Sequence, residues 1–147
     1  MKWRKPALNT LKCNIGCSWH SDSFNSGASW LVRDHSGKVL LHSRRSYAMV
    51  TSPLEAELCS FVSAIESLQN LRYKDLILES PLLQARQALL EPHLFPQHRS
   101  LIEKVFTLLQ SFNSWNFHHT SYASNRAAKA IANSVFEINK FQSYVAR

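Results

Sequence analysis

Carboxylates, thiols and imidazoles are the reactive groups of this chain, and their spacing limits what they can do together. Only three Asp occur, at positions 22, 34 and 75. Asp34 falls in the turn Asp34-His35-Ser36-Gly37, and Asp75 opens a short apolar run. Glu57 lies near the start of a helical stretch, where the helix dipole favours a first-turn acid. His119 closes an apolar strand. Ten residues later stands Lys129, inside Asn125-Arg126-Ala127-Ala128-Lys129-Ala130-Ile131-Ala132. The cysteines at 13, 17 and 59 are odd in number and form no C-x-x-C pair. Cys13 and Cys17 share one strand face about 13 Å apart, too far for a disulfide. With His20 they spell C-x3-C-x2-H, which matches no common zinc spacing. Buried thiols in a reducing compartment are therefore expected, and no metal site of this chain's own.

The elements that carry these groups follow from periodicity. Leu11, Cys13, Ile15, Cys17 and Trp19 alternate with Lys12, Asn14, Gly16 and Ser18, which predicts a half-buried strand. Residues 27–33 and 38–44 read as two more strands, joined by the turn at Asp34 into an antiparallel meander. Ser52-Pro53 opens a long helix with Leu54, Leu58, Phe61, Ala64, Ile65 and Leu68 on one stripe. Asp75-Leu76-Ile77-Leu78-Glu79 is a continuous apolar strand of the kind covered on both faces. Helices near 82–90 and 100–112, a strand at 115–120 and a helix at 124–139 complete the order. This predicts one α/β domain over 11–147 behind a basic, Pro-broken arm at 1–10. Right-handed crossovers order its five strands 3-2-1-4-5 in a mixed sheet flanked by helices. The length suits a single core, and 45% hydrophobic residues with three Gly argue against disorder. A net charge of +7 favours an anionic partner, nucleic acid before membrane. There is no signal segment and no run of 18 apolar residues, which predicts a nuclear or cytoplasmic protein without a membrane span. Nothing indicates an oligomer.

Several runs together resemble a known family. They are Leu11-Lys12-Cys13-Asn14-Ile15-Gly16-Cys17-Ser18-Trp19, Gly27-Ala28-Ser29-Trp30-Leu31-Val32-Arg33, Ala56-Glu57-Leu58, Glu79-Ser80 and Asn125-Arg126-Ala127-Ala128, with Trp3 and Pro6 in the arm. The chain resembles the plant, reverse-transcriptase-like branch of the type 1 ribonuclease H domains, which occur in retroelement polyproteins. The resemblance implies the ribonuclease H fold and cleavage of RNA in RNA–DNA hybrids by two Mg²⁺ ions held on four acids. Carried over by position, those acids fall on Gly16, Glu57, Pro81 and Lys129, so one of four survives, with Glu79 the nearest possible substitute. His119 matches the family's flexible-loop histidine, which serves proton transfer or product release. The resemblance thus implies a nucleic-acid-binding domain that has lost catalysis and needs no cofactor. Asn14, Ser18, Ser80, Asn125, Arg126 and Lys12 would contact phosphates and sugars of a hybrid or duplex. Two other readings stay open: an active hybrid ribonuclease, and a retroelement remnant or protein-interaction domain with no nucleic-acid role.

Overall fold

Polar–apolar alternation from Leu11 onward does form a strand, and the computed structural model carries it one residue past Trp19. The structure describes residues 10–71, 74–136 and 144–146. Strand β1 (Leu11–His20) turns at Phe24, whose amide donates to the His20 carbonyl at 2.9 Å, and returns as β2 (Asn25–Arg33). The Asp34 carboxylate shapes the next turn by accepting the Ser36 and Lys38 amides. Strand β3 (Val39–Tyr47) then completes the antiparallel meander. Helix α1 (Pro53–Asn70) is capped as its sequence demands. Ser52 Oγ accepts the Glu55 amide at 3.1 Å, and Pro53 opens the first turn, where its missing N–H costs nothing.

Strand β4 (Asp75–Ser80) runs parallel to β1. Helices α2 (Leu83–Leu90) and α3 (Arg99–Leu109) follow, joined by two 3-10 turns built on Pro92 and Pro96. Strand β5 (Ser114–His119) lies parallel to β4. The sheet order is β5-β4-β1-β2-β3-β6. Five of these strands are the expected ones, in the expected order, with β1 central. The sixth, β6 (Tyr144–Ala146), pairs antiparallel with β3 and is additional to them. Cys13, Ile15, Trp30 and Leu78 meet the apolar stripe of α1 in the main core, with Leu58, Phe61, Ile65 and Leu68 buried from the helix side.

The helix expected at 124–139 takes a different form. A 3-10 turn (Ala123–Asn125) leads into α4 (Arg126–Asn133), which ends in a second 3-10 turn (Ser134–Phe136). The break falls where the Ser134 hydroxyl donates to the Ile131 carbonyl at 2.6 Å, competing with the helix's own backbone bonds. Residues 137–139 and arm residues 1–9, with Trp3 and Pro6, lie outside the described residues. Helix α4 packs on the sheet face opposite α1, and two glycines allow it to sit close. A Cβ on Gly16 would stand 2.6 Å from the Ala128 carbonyl and 2.5 Å from Ser29 Oγ, and one on Gly27 would strike the Ala132 carbonyl. Buried Ala128 and Ala132 supply the matching small residues from the helix side.

Candidate functional site

Because successive residues of a strand point to opposite faces, Gly16 facing α4 sends its neighbour Cys17 toward α1. There the Cys17 thiol donates to Glu57 Oε2 at 2.7 Å. From the adjacent strand, Ser80 Oγ donates to Glu57 Oε1 at 2.6 Å. Both carboxyl oxygens are thus occupied, and Glu57 is only 2% exposed. Burial pushes its pKa above the usual carboxylate range, against the opposing pull of the Cys17 and Ser80 hydrogen bonds and of Lys129. Burial likewise holds the Cys17 thiol far above its usual value, and the Glu57 charge beside it adds to the effect.

Helix α4 and the turn before it close the site from the other side. Lys129 Nζ donates to the Cys17 carbonyl at 2.7 Å, and Asn125 Nδ2 to the Ile15 carbonyl at 2.7 Å. Cys17, Glu57, Pro81, Asn125 and Lys129 line one cavity of about 170 Å³. His119 stands next to it, with Nε2 3.1 Å from the Pro81 carbonyl oxygen. Three positions that carry acids in the ribonuclease H pattern, 57, 81 and 129, therefore do converge. Gly16 does not join them, because it lies beneath the α4 backbone. Cys17 takes that place against Glu57, a role its reading as a plain buried thiol missed. Among the described residues no group of three or more His, Cys, Asp or Glu is gathered as for a metal ion.

Most residues expected to touch phosphates are buried and bonded within the fold. Lys12 is buried and ion-pairs with Glu79 at 3.5 Å, while Asn14 Nδ2 donates to the same carboxylate at 3.1 Å. Glu79 is thereby held on the sheet face opposite Ser80, away from Glu57, and cannot substitute for a lost acid. Ser18 is buried where β1 pairs with Gly27 of β2. Ser80 is buried and committed to Glu57, while buried Asn125 gives its Nδ2 to Ile15 and keeps its place on the cavity lining. Four of the five sit on β1 and β4 in the middle of the sheet, where α1 packs on one face and α4 on the other, and Asn125 is enclosed by the turn that leads into α4. Arg126, at the start of α4, is exposed, and Lys129 half-buried.

The profile of a family described as reverse transcriptase-like matches residues 14–135. No curated protein sequence matches the chain. Among solved structures it is similar to RNase H1 from the halophilic archaeon Halobacterium salinarum, at 18% identity and a TM-score of 0.80. That match covers 87% of this chain and 98% of the other. It is also similar to the N-terminal RNase H domain of a Mycobacterium tuberculosis protein, solved as a maltose-binding-protein fusion. The identity is 15%, the TM-score 0.73, and the coverage 87% of this chain and 94% of that one. A third is LC11-RNase H1 in complex with an RNA/DNA hybrid, at 15% identity and TM-score 0.68, covering 84% of this chain and 94% of the other. At these identities the structural likeness establishes the fold. The family match spans most of the chain and reaches every strand of the sheet but the last, and this protein belongs to the reverse transcriptase-like family.

Proposed function

We propose that this domain binds nucleic acid, RNA–DNA hybrid or duplex, and does not cleave it. The observation that carries the reading is the Lys129 ammonium, anchored in the same cavity as Glu57, the one carboxylate on its lining. The residues present do not fit the pair of Mg²⁺ ions that the family resemblance implies. Mg²⁺ binds through carboxylate oxygens in octahedral geometry. Here both oxygens of the single carboxylate already accept hydrogen bonds. A Lys ammonium about 4 Å from a divalent ion is opposed by roughly 2 kcal/mol even at the dielectric of water, and by more in a partly enclosed site.

Binding is supported by what remains. The chain carries +7, Lys129 lines the cavity, and Arg126 is exposed at the start of α4, one residue past the cavity's Asn125. Exposed cations of a basic domain attract phosphate, and such contacts position a duplex without reading its sequence. A plant, retroelement-derived origin belongs to the same reading and rests on the Asn125-Arg126-Ala127-Ala128 run.

A cleavage assay tests the proposal. Pure protein incubated with labelled hybrid and Mg²⁺ or Mn²⁺ should release no RNA fragments above background, while a gel shift at low salt should show a complex. Metal-dependent fragments that vanish in Glu57→Gln would instead identify an active hybrid ribonuclease. Absence of any complex at low salt would leave the protein-interaction or remnant reading.

A further inference from the structure

The cavity has walls that phosphate contact does not use. Trp19, Pro53, Leu82 and Tyr122 line it alongside the polar groups. Trp19 is fixed in place, its indole Nε1 donating to the Val50 carbonyl at 2.7 Å. Tyr122, at the mouth, is 64% exposed. At about 170 Å³ the space is far larger than one metal ion fills. An inorganic anion matches this lining poorly, because the single ammonium is answered by the Glu57 carboxyl and the remaining walls are largely apolar. A flat heterocycle matches it well. Its faces can meet indole and phenol rings, and its edge can meet polar groups of both kinds. Lys129 has two N–H groups beyond the one given to Cys17. Asn125 keeps a buried Oδ1 with no hydrogen-bond partner.

We propose that the cavity receives one unpaired nucleobase from a bound nucleic acid, stacked against Tyr122 and Trp19 with its edge toward Lys129 and Asn125. The inference rests on the nucleic-acid-binding reading above and makes it more specific. A base taken out of its helix is held in other proteins by this combination of aromatic or apolar faces and edge hydrogen bonds. A protein that captures a bulged base discriminates between imperfect and perfect duplexes, which phosphate contacts alone cannot do.

Three hybrids of equal length test it: fully paired, carrying one bulged 2-aminopurine, and carrying one bulged abasic site. The 2-aminopurine hybrid should bind about tenfold more tightly than the paired one, the size expected of one stacked base. The abasic bulge should show no such gain, which separates base capture from mere flexibility of the bulge. The fluorescence of 2-aminopurine should fall on binding. Tyr122→Ala should abolish both the preference and the quenching, and Tyr122→Phe should retain them. Circular dichroism should report an unchanged fold for both variants. Equal affinity for the 2-aminopurine and abasic bulges, or quenching that survives Tyr122→Ala, overturns the inference while leaving duplex binding intact. No binding of any hybrid at low salt overturns both.

Discussion

A carboxyl as deeply enclosed as that of Glu57 holds its proton more tightly in the folded chain than in the unfolded one. The stability that this group contributes is complete below its ordinary pKa of 4.5 and is lost as pH rises through the higher folded-state value. Glu57→Gln removes the titration and keeps the size. Urea unfolding of both proteins from roughly pH 4 to pH 8 should therefore show the variant gaining on the parent as pH rises. A constant difference across that range would mean that the folded carboxyl is not raised. The same cluster shows what the sequence could and could not specify at this scale. Glu57 and Lys129 were identifiable from local motifs, and they do share a cavity. The alternation put Cys17 on the apolar face, which does meet α1, but the half-buried strand it predicts is enclosed on its polar face as well, under α4. Gly16 was the expected partner, and Cys17, one residue on, is the actual one.

At the scale of elements, helix α4 rests on bare backbone at Gly16 and Gly27. Adding a methyl group at either position forces the helix away from the sheet or shifts the strand, and overpacking of this kind costs typically about 1–3 kcal/mol. Gly16→Ala and Gly27→Ala should each lower the unfolding free energy by that order, read as a lower urea midpoint at unchanged slope. Ala127→Ser, on the exposed side of α4, is the control and should cost no more than about 0.5 kcal/mol. Gly16→Asp should destabilise at least as much as Gly16→Ala. Restoring the acid of the ribonuclease H pattern at position 16 therefore should not by itself rebuild a metal site. Unchanged stability in Gly16→Ala would show that α4 is less closely seated than these distances imply. Strands and α1 were predictable because their signals are local: strict alternation, the Asp34 turn, and Ser52-Pro53 at a helix start. Strand β6 and the early end of α4 were not, since one depends on a partner strand far away in sequence and the other on a single serine back-bond.

For the whole molecule, the surplus of seven positive charges governs how it meets a polyanion. Affinity for hybrid should fall linearly on a log–log plot against salt, with a slope set by a few phosphate contacts. Arg126→Ala should weaken all sequences about equally and reduce the slope by about one. Lys12→Met should leave the slope unchanged and reduce stability instead, because Lys12 is buried against Glu79. A slope that responds to Lys12 and ignores Arg126 would reverse which of these two cations meets the polyanion and which is structural. Within the described residues no helix is long and apolar enough to cross a membrane. The bonds that close the cavity also bear on the order in which the protein assembles. Asn125 reaches back 110 residues to Ile15, and Lys129 112 residues to Cys17. Contacts between such distant parts of a chain carry a large loop-closure cost and slow the steps that depend on them. The meander and α1 can gather early from neighbouring segments, whereas the cavity exists only after the last helix has docked. In pulsed hydrogen exchange during refolding, the amides of α4 should gain protection after those of α1, so that competence to bind is acquired at the end of folding.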